Sequence, residues 1–420
     1  MKSLAMNYLF YFLYFPYEQF KNFWKYIRGI PLITPSLGSI TLDIDDIKIA
    51  RRMLKNKWIW YNDKVVHKFE KKFALWNGSN YAFAFLGGRV ALSASIYALQ
   101  LQKGDEVIVP GYTCVVVPNA FHFEGIKTVY SDIELDTYGL DASLIEEKIT
   151  RNTKAIVLHH LYGLVCRDYE KIIEIAKQNG LFIIEDCAQA TGAEYRNIKV
   201  GNFGDVAIYS TEQSKVFTTI QGGIVTTNNV EIAKRLKEYY EHTGYPSRNY
   251  VKKLLYSIII NYYNYKDTNR WWRGSLIKLF YSRFRIVSTT QEEENGIKPQ
   301  NYRLKMPAAL ALIGLNQLKK IDFYNNKRIE GSQRWNKWCM KNKINKPLII
   351  PYSKPIFLRY PVLVSPDKKK DTSWAIKELG VNLGVWFIGN LHPVTRPILG
   401  CPNADKAIQQ CVNFPCHIEE

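Results

Sequence analysis

Three short segments of the chain gather residue types that can do chemistry. In Ile183-Ile184-Glu185-Asp186-Cys187-Ala188-Gln189, two acids end an apolar run that reads as a buried strand. A carboxylate there can hold a positive charge in a low-dielectric cleft, and the partner in turn favours its ionisation. Asp is also a common helix cap, so this segment leaves both roles open. In Ser210-Thr211-Glu212-Gln213-Ser214-Lys215, followed by Gln221-Gly222-Gly223, a lysine stands just beyond another apolar run. Desolvated, such a lysine becomes a nucleophilic amine; solvated, it is one more surface charge. In Leu86-Gly87-Gly88-Arg89-Val90-Ala91-Leu92, two glycines precede a helix. The free N–H groups of a helix start suit a phosphate, although paired glycines also serve any tight turn.

These segments have to be carried by something, and the region from Lys103 to Asn228 supplies it. Short apolar runs at Glu106–Val109, Thr128–Tyr130, Ala155–Leu158, Leu181–Ile184, Val206–Tyr209 and Ile224–Thr226 read as buried strands. Between them lie amphipathic stretches such as Tyr169–Gln178, with Ile172, Ile173, Ile175 and Ala176 on one side. Strand–helix alternation predicts an α/β fold with a mainly parallel sheet and helices on both faces. Ligands of such sheets sit beyond the carboxyl ends of the strands, where Asp186 and Lys215 fall. The chain has no GxGxxG after its first strand and no GxxxxGK[ST], so neither a dinucleotide site nor a P-loop is supported.

Taken in order, the segments resemble the DegT/StrS-type sugar aminotransferases. The resemblance extends from about Ile40 to the C-terminus, through Gly104-Asp105-Glu106-Val107-Ile108-Val109-Pro110, His160-Leu161-Tyr162-Gly163, the Asp186 and Lys215 segments, Asn301-Tyr302-Arg303, Ala308-Ala309-Leu310 leading to Gln317-Leu318, and Cys401-Pro402-Asn403-Ala404. It implies the type I aminotransferase fold and pyridoxal 5'-phosphate as cofactor. Lys215 would bond to the cofactor and carry protons at the substrate carbon. Asp186 would pair with the protonated ring nitrogen, and Gln189 would lie near the phenolic oxygen. Gly88, Arg89 and Val90, with Ser210, would hold the phosphate. Asn301 would reach the phosphate of a neighbouring subunit's cofactor, which implies a homodimer with shared sites. Cys114 stands where the family usually places an aromatic ring on the cofactor, with Tyr112 as the other candidate, and Gly87 replaces a more usual serine. Family members that remove a hydroxyl have histidine in place of Lys215, so the lysine favours transamination. No histidine spacing suits a metal; His159 reads as structural, with His160 and His392 near the cleft.

The expected layout is an N-terminal segment (1–44), a large cofactor-binding domain (45–245), an insertion (246–295) and a small α/β C-terminal domain (296–420). With 420 residues, 47% hydrophobic and 23% charged, the chain is of ordinary globular composition. No apolar run reaches the roughly 18–20 residues that span a bilayer. The aromatic stretch Leu9 to Pro16 lacks a small-residue cleavage site. Seven scattered cysteines without a CxxC argue against a disulfide framework, and the reading is a reduced, cytoplasmic protein.

The formal charge of +19 is concentrated: residues 1–30 contribute +3 and residues 245–290 contribute +8. Nucleic acid is not expected as partner, because no recognised binding signature accompanies the charge. Tyr250 to Ile260 and Leu276 to Phe284, with Trp271 and Trp272, have basic and apolar positions that separate on a helix. Such helices suit an anionic membrane surface. Peripheral docking on the inner face of the cell membrane through 247–288 and the aromatic Tyr8–Tyr17 is therefore one expectation, and an arm packed across the dimer or a solvated helical pair is the other. The expected activity is amino transfer, with L-glutamate as donor, to a nucleotide-linked keto deoxysugar of cell-surface polysaccharide or glycolipid synthesis. The rival readings are a cofactor-binding regulator without turnover and a membrane-docked scaffold of a glycan assembly complex.

Overall fold

Seven strands form the central sheet in the computed structural model, which describes residues 41–265 and 286–417. They are β1 (Tyr81–Phe85), β2 (Glu106–Pro110), β3 (Lys127–Ser131), β4 (Thr153–His159), β5 (Phe182–Asp186), β6 (Val206–Ser210) and β7 (Gly223–Thr227). Their order across the sheet is β1-β7-β6-β5-β4-β2-β3. From β3 to β6 all pairings are parallel, and β7 runs antiparallel between β6 and β1. Six of the seven coincide with the apolar runs expected from sequence; β1 is the addition.

The pleat explains why these runs are apolar throughout. Val107, Val109, Ala155, Val157, Val206 and Ile208 face one side, against helices α3 (Gly88–Ala98), α4 (Val116–His122) and α6 (Val230–Glu241). Ile108, Ile156, Leu158, Ala207 and Tyr209 face the other, against α1 (Ile44–Lys55), α2 (Asp63–Asn77), α5 (Tyr169–Gln178), α7 (Arg248–Tyr265) and α8 (Ala308–Leu318). With both faces covered, every second position is as buried as its neighbour. The parallel strands therefore end together on one edge, and the loops that leave that edge hold the residues of interest.

A second core lies toward the C-terminus. The antiparallel pair β8 (Tyr360–Leu363) and β9 (Cys411–Phe414) packs with Trp335 of α9 (Ile321–Lys341), Ala404 and Ala407 of α10 (Pro402–Gln410), and Phe387. Tyr112, Tyr138 and Tyr162 reach into this core from the sheet side. Leu391–His392 pairs in parallel with Thr113–Cys114, so the two units are also joined by backbone.

Helix α7 bears on the membrane expectation. Val251, Leu254, Leu255 and Ile258 are fully buried in the main core. The apolar face that the sequence offers to a bilayer is thus used within the chain's own core, which neither the membrane expectation nor an arm across a dimer foresaw for this helix. The aromatic N-terminus, Trp271, Trp272 and the run Leu276 to Phe284 lie outside the described residues. Among the described residues no helix is long and apolar enough to cross a membrane.

Candidate active site

The sheet edge opens into a cleft of ≈ 560 Å³, and all nine residues expected from sequence line it: Gly88, Arg89, Val90, Cys114, Asp186, Gln189, Ser210, Lys215 and Asn301. Asp186 closes β5 and Ser210 closes β6, while Gly88 begins α3 just after β1.

The α3 end is rich in donors. Its cap, Gly87, provides no side chain to the first-turn amides. The amide of Val90 already donates to Gly87 O at 3.0 Å, so Val90 borders the cleft without a free donor, and the amides of Gly88 and Arg89 are the ones left. The approach of β7 is equally close: a Cβ on Gly223 would stand 2.3 Å from Gly87 C and O and 2.4 Å from Gly88 N. Only glycine allows that contact. The Arg89 side chain is committed elsewhere, paired with Glu293 and donating to Ser288 O.

Asp186 accepts the Ala188 amide at 2.9 Å, and among the described residues no other donor reaches its carboxylate. Enclosure raises its pKa above the usual value, against the pull of the Ala188 amide and of Lys215. A carboxylate so short of partners suits a cation placed in the cleft. Its cross-strand neighbour in register is His159. His159 was expected to be structural. It lines the cleft, places Nε2 2.6 Å from Tyr138 O, and leaves Nδ1 without a partner among the described residues. Burial pushes its pKa down to about 4, so the ring is neutral.

His160, expected near the cleft, lines it, and with Glu185, to which the sequence reading gave no role of its own, it forms a closed network beneath Asp186 and His159. Glu185 accepts from Tyr169 Oη (2.5 Å) and from the amides of Gly201 (2.7 Å), Phe203 (2.9 Å) and Gly204 (2.6 Å). Because the Cys166 amide donates to His160 Nδ1 (3.2 Å), the ring proton sits on Nε2 and points to Glu185, 3.3 Å away. Despite burial, which acts in the opposite sense, His160 and the other donors hold the Glu185 carboxyl below the usual range. His392 does not line the cleft. Burial, helped by the charges of Lys215 and Arg359, takes it down to about 4.

Lys215 stands in the loop between β6 and β7. Its amide donates to Glu212 O (2.9 Å), and its Nζ lies 5.0 Å from the centre of the Trp386 ring. Among the described residues no carboxylate forms an ion pair with that amine. Gln189 accepts the Tyr162 amide with Oε1 (3.1 Å), which leaves its NH2 end as the group it can offer. Cys114 lines the cleft with a thiol kept protonated by burial. Tyr112 cannot replace it as a stacking ring: it is fully buried in the C-terminal core, its hydroxyl 2.8 Å from that of Tyr162. Asn301 is exposed at the mouth.

The insertion contributes a wall that composition did not signal. Ser247, Tyr250, Ser288, Thr290 and Glu293, from its two ends, all line the cleft. Tyr250 donates to Gln221 (2.7 Å), and Asn119 donates to the Glu293 carbonyl (2.6 Å).

These residues fit pyridoxal phosphate. The donor-rich α3 turn and Ser210 suit its phosphate, the under-partnered Asp186 suits its ring nitrogen, and Lys215 offers an unpaired amine.

Comparison with known proteins gives the same direction. The DegT/DnrJ/EryC1/StrS aminotransferase family matches residues 41–419. A GDP-perosamine synthase of Escherichia coli O157:H7 is 37% identical over 243 residues, covering 58% of this chain and 64% of that protein. A GDP-perosamine synthase of Caulobacter vibrioides is 29% identical over 391 residues, 91% of this chain and 93% of that protein. Among solved structures, DesV of S. venezuelae superposes with a TM-score of 0.69 at 23% identity, covering 90% of this chain and 91% of that one. NtdA of Bacillus subtilis, solved with bound cofactor PMP, also gives 0.69 at 23% identity, covering 91% and 80%.

Proposed function

The chain belongs to the DegT/DnrJ/EryC1/StrS aminotransferase family, and on that premise we propose that it moves an amino group from L-glutamate to a nucleotide-linked keto deoxysugar, with pyridoxal 5'-phosphate as cofactor. The observation that carries this reading is the meeting of Asp186, Gln189, Ser210, Lys215 and the first turn of α3 in one cleft. The nucleotide is drawn from the relatives, three of which are GDP-perosamine synthases, while another is a dTDP-3-amino-3,6-dideoxy-alpha-D-galactopyranose transaminase of Aneurinibacillus thermoaerophilus. The products then serve cell-surface polysaccharide or glycolipid.

When bound, the cofactor supplies an aldehyde that takes up amines and a ring that withdraws electrons. The protein's part is holding and proton transfer. The amides of Gly88 and Arg89 and the Ser210 hydroxyl hold a phosphate at the positive end of α3. Asp186 keeps a proton on the ring nitrogen, where its negative charge is worth most in a dry site. The Gln189 NH2 steadies the phenolic oxygen. The Lys215 amine, unpaired and half-buried, takes a proton from the substrate carbon and returns one to the neighbouring atom. The Arg89–Glu293 pair forms part of the wall beside the phosphate end.

Asn301 is exposed at the mouth of the cleft, and this reading takes it to serve a second subunit of a homodimer. Membrane contact has less to rest on, since α7 uses its apolar face in the core. Co-sedimentation with anionic vesicles, comparing the full chain with one lacking 268–283, tests it without disturbing that helix. The activity itself is tested by supplying L-glutamate with GDP-linked or dTDP-linked keto deoxysugars. An aminated sugar from either series supports the proposal. Consumption of glutamate's amine with no aminated product from either refutes the nucleotide-sugar acceptor.

A further inference from the structure

The loop that carries Lys215 connects β6 to β7, and its base is closed by backbone bonds: Thr211 N to Gly222 O and Thr219 N to Thr211 O, both 2.9 Å. The residues on either side of the lysine are held differently. Arg359 Nη2 donates to the carbonyl of Ser214 at 3.2 Å, and Arg328 Nη2 donates to the carbonyl of Val216 at 2.6 Å. Both guanidinium groups come from the C-terminal part of the chain, Arg328 on α9 and Arg359 just before β8.

Each is an expensive way to hold a carbonyl. Arg328 is 1% exposed and Arg359 2%. Among the described residues neither has a carboxylate partner. Arg328 spends a further N–H on Asn325 Oδ1 (2.8 Å), yet its Nε is unsatisfied, as are Nε and Nη1 of Arg359. Burying a cation with so few partners costs stability, and an apolar side chain of similar volume fills space more cheaply. Packing alone therefore does not account for them. A third contact reaches the tip of the lysine: Arg359 lies 4.1 Å over the Trp386 ring that also faces Lys215 Nζ.

We propose that Arg328 and Arg359 are positioning residues that clamp the backbone on both sides of Lys215 and make the place of its amine depend on the C-terminal domain. The inference rests on the reading that Lys215 bonds the cofactor, and it goes beyond it by naming what sets the amine in place. Because Arg328 stands on helix α9 and Arg359 at the entry to β8, a shift of those elements would move the lysine with them.

The test separates the lysine's position from the integrity of the cleft. In the full-length chain, Arg328→Met and Arg359→Met are compared with wild type in two assays. The first is capture of added pyridoxal phosphate, in which Nζ adds to the aldehyde carbon and water leaves, followed by absorbance and by borohydride trapping mapped to Lys215. The second is affinity for pyridoxamine phosphate, which needs no lysine, followed by tryptophan fluorescence. The clamp predicts capture slowed about tenfold or more, with pyridoxamine phosphate affinity within about twofold of wild type. Unchanged capture overturns the proposal, as does an equal loss in both assays, which signals general damage. If a Met variant does not fold, Arg359→Lys is read by the same criteria, because it keeps the charge but cannot both reach Ser214 O and stack on Trp386. Failure to trap wild-type Lys215 instead overturns the underlying reading of the lysine.

Discussion

Nε2 of His160 lies 3.3 Å from Oε2 of Glu185, and neither side chain reaches solvent. The pair sits under the cleft, at the ends of the two strands that carry His159 and Asp186. It holds those ends in register from below while they face the cleft from above.

Glu185→Gln tests that support. The substitution removes a charge that accepts from Tyr169, His160 and three amides, and it turns an NH2 toward some of those donors. The expected cost is about 2–4 kcal/mol in urea unfolding. A loss below about 0.5 kcal/mol would show the network to be dispensable.

Acid should destabilise the fold in two stages. Burial takes His159, His392 and His417 from the ordinary 6.5 to about 4, so the unfolded chain binds protons that the folded one refuses. Stability falls as the pH drops from 6.5 toward 4, each histidine contributing at most about 3 kcal/mol. Glu185 acts in a lower window: its carboxyl is held below the usual range, so its contribution is present above that range and lost as pH falls through the folded value. Urea midpoints at pH 7, 5.5 and 4.5 measure the first stage, and His159→Gln should reduce its slope by the share of one of the three histidines. A flat profile over those three points contradicts the burial of neutral histidines.

Two glycines of the phosphate end should differ. At Gly223 a methyl group meets backbone atoms of Gly87 and Gly88, and Gly223→Ala should cost about 1–3 kcal/mol and weaken cofactor binding. At Gly88 the nearest contact of a new Cβ is Ser210 Cβ at 3.4 Å, so Gly88→Ala should stay within about 0.5 kcal/mol. Thermal melts with and without pyridoxal phosphate decide, and equal effects at both positions go against the close β7 approach.

Asp186→Ala should leave Lys215 able to capture the cofactor while slowing its conversion by L-glutamate about 10²–10³-fold. Stopped-flow absorbance reads both steps. Conversion at the wild-type rate removes Asp186 from the ring nitrogen.

How much of this was legible in the sequence follows from what each residue does. Strands β2 and β4 to β7 are buried on both faces over most of their length, so they appear as apolar runs, whereas β3 at one edge of the sheet is partly exposed and shows only as the short stretch Thr128–Tyr130. β1, Tyr81–Phe85, alternates alanine with aromatics at a partly exposed edge and escapes that signature. The nine expected residues come from short motifs and from the family resemblance those motifs carry, and the sheet edge with the loops around it brings them to one cleft. Glu293 was not legible, because it meets Arg89 from about two hundred residues away. Arg328 and Arg359 were not, because an arginine in a sequence is by default solvated. Helix α7 shows the opposite limit: an apolar stripe of helical period suits a membrane or a core equally, and here Val251, Leu254, Leu255 and Ile258 are in the core.

The most direct test of the central claim is the visible absorption spectrum of the purified chain loaded with pyridoxal phosphate, before and after L-glutamate. The wild-type chain should show a band of the lysine-bound cofactor that disappears when glutamate is added, returns with a nucleotide-linked keto sugar, and is absent in Lys215→Ala. A band that persists in Lys215→Ala, or one that glutamate leaves unchanged in the wild type, would contradict the claim.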